Sequence, residues 1–455
     1  MAPIIVERGR QVESRGRDIG ALFARKLLNE ESNLCFGEGG AGTWSDGKLT
    51  TRIGRNSSEV REVLERLVAH GAPELILTAG KPHLGTDRLV KILRDLRLWL
   101  VEKGAVIKFG HKLVGINPVV DSSAEGSRCI ESVKVEDTSS GEVEVVGCDM
   151  LVLAAGHSSR AIFSQLRDAG VALVPKGFAA GFRVEHPQEL INQIRYGAWR
   201  EHVMKGKGKV PVADYSLAAT VSDGSGVQDP SLASTPGGQE SQEGGSRPVY
   251  SFCMCPGGQI VPTSVDEREL CVNGMSFSRR GSNWANSALV VSVTPEDTEE
   301  LGGTDALRGV EWQRVIERRA AMAGGGSMVA PVQRVTDFLE GSPSLGALPT
   351  SSYRLGVKSA RCDELYPPFV TEALKQALAR FDQRLPGFIS DQALLHGVET
   401  RTSCPVQIPR DPQTLESPTL HGLFPAGEGA GHAGGIVSAA VDGLRIGRAV
   451  TRAAS

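Results

Sequence analysis

The segment LFPAGEGAGHAGGIVSAAVDGLRIGRAV at 423–450 constrains this chain more than any other. A short apolar run enters a turn with glycines at 427, 429, 431, 434 and 435, and a run of small residues with helical character follows. Gly429-x-Gly431-x-x-Gly434 fits the dinucleotide-binding pattern in the context that pattern requires, a strand before and a helix after. Such a corner offers a helix N-terminus with bare N–H groups and the positive end of the helix dipole. That suits a pyrophosphate, or the N1–C2=O edge of a flavin, where negative charge grows on reduction. The opening unit of such a domain carries a ribose-binding acid about 20 residues further on, and this segment stands next to Ser455. The expectation is therefore a late strand–helix corner of an α/β domain. Ala430, Ala433, Gly434 and Gly435 leave room for a flat ring, and Glu428 can accept a hydrogen bond from a ribityl hydroxyl. The plain alternative is close glycine-mediated packing of a helix on a sheet.

Glycine is abundant throughout, 54 of 455 residues against a usual share of about 7%. The loop GEGGAGTWSDGKLTTR at 37–52 holds a second nominal pattern, Gly37, Gly39 and Gly42. TWSDGKL is no helix start, so the loop reads as a backbone cradle and not as a dinucleotide fingerprint. Asp46-Gly47 is also a routine turn signal. Glu7 ends the strand-like run PIIVE, where nucleotide-binding α/β domains place an acid on ribose hydroxyls; the plain alternative is an exposed acid. Gly156 closes the apolar run DMLVLAAG (149–156), as where a backbone passes beside a cofactor.

Net charge is −3, from 50 Lys plus Arg and 53 Asp plus Glu. This excludes a generally basic nucleic-acid binder and a polyacidic tail protein. No apolar run approaches the roughly 18 residues that span a bilayer. The eight cysteines are scattered with no secretory leader, which points to a reducing compartment and no disulfide framework.

Helical spacing predicts a helix from Ser57 or Ser58 to Gly71 and another from Thr86 to Gly104. Strands follow at 105–110, 130–136, 143–147 and 149–156. Beyond about 178 short strand-like pieces dominate, among them AAGFRVE, YSFCMC, GQIVPT, LCVNGMS and ALVVSV. Residues 222–247 are low in complexity and read as a disordered insertion. Helices resume at 310–323 and 370–385. The expected architecture is a Rossmann-type α/β domain, 1–177 and 396–455, interrupted by a mostly-β substrate domain, 178–395.

Five further residues are candidate substrate-side groups. Cys253 and Cys255 form a C-x-C at a strand end, able to act as a redox pair, a thiol facing a cofactor, or half a metal site, with two inert buried cysteines as the plain alternative. Arg401, in ETRTS, can clamp an anionic substrate or serve as a structural arginine. Lys48 and His432 sit beside the glycine loops; His157 stands in the other corner. A proton-transfer role competes with a histidine bonded to backbone. No metal site is expected.

These stretches together resemble the FAD-dependent oxidoreductases, often labelled FAD-dependent dehydrogenases, of bacteria and plastids, within the glutathione-reductase-like Rossmann superfamily. The matching segments are IIVERG (4–9), ESNLCFGEGGAGTWSDGKLTTR (31–52), KPHLGTDRL (81–89), LVLAAGHSSR (151–160), SFCMCPGG (251–258), GVETRTSCPV (397–406) and FPAGEGAGHAGGIVSAAVDG (424–443). The resemblance implies bound FAD. Glu7 would hold the adenosine ribose. Gly39, Gly40, Gly42, Thr43, Ser45 and Asp46, with Gly427, Glu428, Gly434, Gly435 and Ile436, would face the pyrophosphate and flavin. Ala155 and Gly156 would end the strand beside the cofactor. The implied partners are a small-molecule substrate and NAD(P)H or another electron donor or acceptor, with no nucleic acid and no membrane, in the cytoplasm or a plastid stroma. Family members begin with a strand, a glycine fingerprint and a helix before the position of Ile4. The expectation is an N-terminally truncated form with impaired FAD binding, or a catalytically inactive paralogue that acts by binding.

Overall fold

The computed structural model describes residues 2–54, 56–120, 128–203, 210–222 and 246–454. Contacts divide the chain into two compact units. Met1–Gly177, Pro295–Trp312 and Ser403–Ser455 form unit 1; Phe178–Thr294 and Gln313–Thr402 form unit 2.

Chain order begins with β1 (Ile4–Glu7), α1 (Val12–Arg25), α2 (Ser58–Ala69), α3 (Thr86–Glu102), β2 (Val106–Phe109), β3 (His111–Val120), β4 (Arg128–Asp137), β5 (Val143–Gly147), β6 (Leu151–Leu153), α4 (Ala161–Asp168) and β7 (Val174–Pro175). It continues with β8 (Phe178–Pro187), α5 (Gln188–Tyr196), β9 (Ala218–Ser222), β10 (Ser246–Pro262), β11 (Val272–Met275), β12 (Trp284–Val293), α6 (Glu299–Gly302), α7 (Arg308–Gly324), β13 (Ala330–Arg334), α8 (Val335–Glu340), β14 (Val357–Ser359), α9 (Pro368–Arg384) and β15 (Leu394–Glu399). It closes with β16 (Val406–Gln407), β17 (Leu423–Pro425) and α10 (Ile436–Ala453). The fold is mixed α/β with one large sheet.

Unit 1 contains two parallel strand pairs. In one, β1 lies beside β2 with Ile4 opposite Val106; in the other, β6 lies beside β17 with Leu151 opposite Leu423. No ladder joins the two pairs among the described residues. Parallel strands are normally covered on both faces, yet Ile4, Val6, Val106 and Val152 are 54, 37, 52 and 45% exposed. The expectation that 149–156 is a strand buried on both faces therefore fails at Val152, which faces outward. The β3–β4–β5 meander is antiparallel, as the alternation around 130–147 predicts. Helix α10 is placed by its apolar face: Val437 and Val441 pack with Val60, Val63 and Leu64 of α2 and Leu89 and Ile92 of α3.

Unit 2 is built on an eight-stranded sheet in the order β11–β10–β12–β8–β15–β13–β14, with β9 paired to β10. The pieces YSFCMC and GQIVPT belong to the single long strand β10, bulged near Cys255. The expected disordered stretch 222–247 lies outside the described residues except at its ends: Ser222 closes β9, and Ser246 and Arg247 open β10. Helix α9 packs against β9, and its Arg380 and Arg384 donate to the Thr220 and Ala218 carbonyls of that edge strand. The contact units and the expected segmentation at 178 and 396 differ in two stretches. Residues 295–312 group with unit 1. Unit 2 runs on to Thr402 because β15 is hydrogen-bonded within the large sheet.

Arg183 of β8 ties that sheet together. It is fully buried and forms a two-pronged pair with Glu399 of β15 at 2.6 and 3.1 Å. It also donates to Asn286 of β12 at 2.8 Å, Asn273 of β11 at 3.0 Å and the Cys253 carbonyl of β10 at 3.2 Å. Replacing Arg183 with Met strands the Glu399 carboxylate among buried strands, and losing one member of a buried pair costs about 3–5 kcal/mol. Urea unfolding of Arg183→Met is expected to show a loss of that size; a loss within error of wild type would contradict it.

Candidate functional site

Three close approaches in unit 1 gather residues from distant parts of the chain. Glu7, at the end of β1, accepts the Gly9 and Gly37 amides on Oε1 at 2.8 and 3.0 Å. A Cβ on Gly42 would meet Ile436 Cγ1 at 3.3 Å, so the 37–48 loop lies against the first residue of α10. A Cβ on Gly429 would stand 2.4 Å from the Gly156 carbonyl oxygen, so the end of the β6 segment lies against the C-terminal turn. Glu7, the loop, the Gly156 corner and the 427–436 turn thus form one connected region.

The glycines of this region are of two kinds. Gly37 and Gly429 are needed because side chains there would strike neighbours. Gly40, Gly156, Gly427 and Gly434 are different, since an added Cβ would meet nothing within 4 Å. Packing explains the first kind and not the second. At Gly427, a φ of +74° calls for glycine, and its amide donates to Asp442 Oδ2 at 2.7 Å. Arg410 clamps the same carboxylate and the Pro425 carbonyl.

Several candidate side chains are spent within the loop. Thr43 is buried and bonds the Glu38 carbonyl. Ser45 Oγ donates to the Gly42 carbonyl and accepts the Gly47 amide. Asp46 is buried and pairs with Lys48 at 2.9 Å. Gly39 and Ala155 lie exposed at the surface of the region. His432 donates from Nε2 to the Ile408 carbonyl at 2.9 Å, and burial holds its pKa down; it is a neutral, backbone-bonded histidine. His157 bonds Ser158 Oγ at 2.8 Å.

The other candidates lie in unit 2. Cys253 is exposed with a φ of +44°, and Cys255 is buried with its thiol donating to the Cys253 carbonyl. Arg401 is 5% exposed and grips Glu317 with Nε and Nη2 at 3.0 and 2.6 Å. That geometry is the structural alternative and not an open anion clamp, because its donors are turned inward to a buried carboxylate. None of the eight cysteines is in a disulfide. Among the described residues no cluster of three His, Cys, Asp or Glu side chains could hold a metal, and no helix is long and apolar enough to cross a membrane.

A family model described as FAD-dependent protein, C-terminal domain-like, matches residues 177–402. An uncharacterised protein of Clostridium beijerinckii is 41% identical over 446 residues, covering 98% of this chain and 75% of that protein. The chain belongs to the FAD-dependent protein family. Among solved structures, THI4 of Thermovibrio ammonificans is 18% identical over 38% of this chain and 63% of that one, with a TM-score of 0.24. CtdE in complex with FAD is 11% identical over 79% of this chain and 59% of that one, with a TM-score of 0.27. This chain thus spans less than two thirds of either structure, and neither score reaches a shared fold.

The cofactor of this FAD-dependent protein is FAD. The residues of unit 1 fit such a group. Four glycines leave open space along the region, and two acids in it keep acceptors free. Glu7 Oε2 and the Glu428 carboxylate have no hydrogen-bond partner among the described residues. A cavity of about 410 Å³ opens at the carboxyl ends of β1 and β2, lined by Arg8, Arg10, Ser14, Glu31, Phe109 and Thr138.

Sequence reasoning missed two residues here. Lys176, just after β7, donates from Nζ to the Gly431 carbonyl, and burial holds its pKa down. Arg15 sits on the buried face of α1; the signal was available, since Val12, Ile19 and Leu22 mark a helical apolar stripe with an arginine on it. Burial pushes the Glu428 carboxyl up from 4.5 to about 7, opposed by the positive charge of Lys176. A carboxyl raised in the folded state lends stability at low pH that is lost as pH rises through the folded value. Glu428→Gln is therefore expected to gain thermal stability relative to wild type between pH about 4.5 and about 7 and to hold a constant advantage above. A midpoint difference flat across that window would refute it.

Proposed function

We propose that this chain is an FAD-dependent oxidoreductase of the dehydrogenase type, acting on a small molecule. FAD, when bound, supplies the acceptor for a hydride or two electrons from that substrate. The observation that carries the reading is the convergence of Glu7, the 37–48 loop, Gly156 and the 427–436 turn around glycines that face open space. In this reading the free Oε2 of Glu7 accepts adenosine ribose hydroxyls. Backbone amides of Gly39–Asp46 and of the Gly427–Ile436 turn meet the pyrophosphate and the flavin edge. Glu428, ionised above about pH 7, accepts a ribityl hydroxyl, and Ala155 and Gly156 flank the ring. Lys48, beside Asp46 in the glycine loop, remains a substrate-side proposal in unit 1. NAD(P)H or another electron donor or acceptor is the proposed partner, and a soluble protein of a reducing compartment, cytoplasm or plastid stroma, the proposed setting.

We further propose that this chain holds FAD weakly. The exposed apolar faces of the two parallel pairs, at Ile4, Val6, Val106 and Val152, support this. The same observation favours a second reading, an inactive paralogue that acts by binding.

Trp44 stands in the loop, so FAD binding can be followed by quenching of its fluorescence, and retention by the visible spectrum after desalting. Saturable quenching with partial loss of flavin on desalting is expected. Gly434→Leu, whose side chain enters open space, is expected to abolish quenching with an unchanged thermal midpoint. No saturable quenching in wild type at millimolar FAD would overturn the proposal. Saturable FAD binding with no reduction by any hydride donor would favour the binding-protein reading.

A further inference from the structure

Arg15 stands behind the glycine loop in unusual surroundings. It projects from α1, is 0% exposed, and contacts the loop from inside the unit. Nε donates to the Asn33 carbonyl at 2.7 Å and Nη1 to the Glu38 carbonyl at 2.8 Å. Nη1 also reaches the Gly37 carbonyl and Thr43 Oγ1, each at 3.4 Å. The Asn33, Gly37 and Glu38 carbonyls are thus turned toward one buried cation. Nη2 is buried with no partner among the described residues.

A peptide unit has two ends. When its carbonyl is pulled to one side, the amide of the next residue points to the other. The Asn33 carbonyl fixes the entry to the loop, and those of Gly37 and Glu38 fix the amides of Glu38 and Gly39 that follow. The Glu38 amide is taken by the Arg10 carbonyl. The amides of Gly39, Ala41 and Gly42 have no partner among the described residues. Contact with Arg15 is close: a Cβ on Gly37, where φ is +119°, would stand 2.5 Å from Arg15 Cδ. Glu38 is held from outside as well. Its carboxylate caps the Val12 amide at 2.8 Å and pairs with Arg97 at 2.6 Å. Burial lowers the Arg15 pKa to about 10, so the guanidinium stays charged at neutral pH.

We propose that Arg15 is a positioning residue that orients the 37–43 loop so that its free amides receive the phosphates of a dinucleotide, without itself touching the ligand. The inference rests on the reading of this loop as a cofactor cradle. It predicts selectivity for phosphate over the rest of the cofactor. Loss of Arg15 should weaken FAD and ADP and leave riboflavin, which has no phosphate, unaffected.

Arg15→Lys keeps the charge and replaces the planar five-donor fork with one ammonium nitrogen; Gly37→Ala keeps the arginine and pushes it off the loop. Two readouts apply to both variants. Hydrogen exchange of the free protein reports order at residues 37–43, and fluorescence titration gives affinities for FAD, ADP and riboflavin. The expected result is faster exchange confined to the loop, with FAD and ADP affinity down about tenfold, the size of a lost charge-assisted hydrogen bond, and riboflavin affinity unchanged. Unchanged exchange in both variants overturns the inference. So does faster exchange with undiminished FAD affinity, or an equal loss for riboflavin, which would make Arg15 an ordinary structural residue. Wild-type protein that binds neither FAD nor ADP sinks the cradle reading, and this inference with it, and is told apart because it precedes any substitution.

Discussion

A guanidinium taken out of water draws acceptors to its N–H donors, and in both units that demand shapes the neighbouring backbone. In unit 2, Arg183 of β8 reaches four other strands, and the positive φ of Cys253 lies at the residue whose carbonyl it collects. Arg401 repeats the theme on a smaller scale with Glu317 and the Thr263 carbonyl. In unit 1, Arg15 donates to carbonyls and to no carboxylate among the described residues. The contrast is chemical. A carboxylate partner locks a sheet; carbonyl partners orient a loop and leave its opposite edge electropositive.

Glycine content alone does not separate a cradle from tight packing. At Gly429 the missing side chain makes room for another backbone, whereas at Gly40, Gly156, Gly427 and Gly434 it makes room for nothing in the chain. Both kinds occur within one turn, so the frame and the lining of the region are written in alternating residues. Glu428 stands between them, in surroundings dry enough to keep its proton near neutrality, with Lys176 pulling the other way across the same turn.

Much of this was legible beforehand because it rests on short-range rules. The limits of α2 and α3 follow from apolar spacing and from Gly71 and Gly104, and the meander from alternation at 130–147. Side-chain destinations were less legible. Thr43 and Asp46 sit in the glycine loop yet turn inward, and Arg401 neutralises a residue more than eighty positions away. No local pattern announces such long-range pairing. Helix α1 went unread because glycines at 16 and 20 and charged residues at 13, 15, 17 and 18 interrupt it, and its apolar stripe is thin. The outward-facing Val152 shows that an apolar run states what a strand can bury and not what covers it.

The register of β9 against β10 has a further consequence. Ser222 lies directly opposite Ser246, and the pairing continues through Ala218 opposite Tyr250. The two ends of the intervening polypeptide are thus brought together by the sheet itself, on its outermost strand, with Arg380 and Arg384 already occupying that strand's carbonyls. Closing a longer connection between fixed ends costs only about 0.6 kcal/mol per doubling of length. This makes the point between Ser222 and Ser246 a natural port, where evolution can lengthen or shorten the chain and where an engineer can splice a reporter or affinity module while leaving the ladder in place.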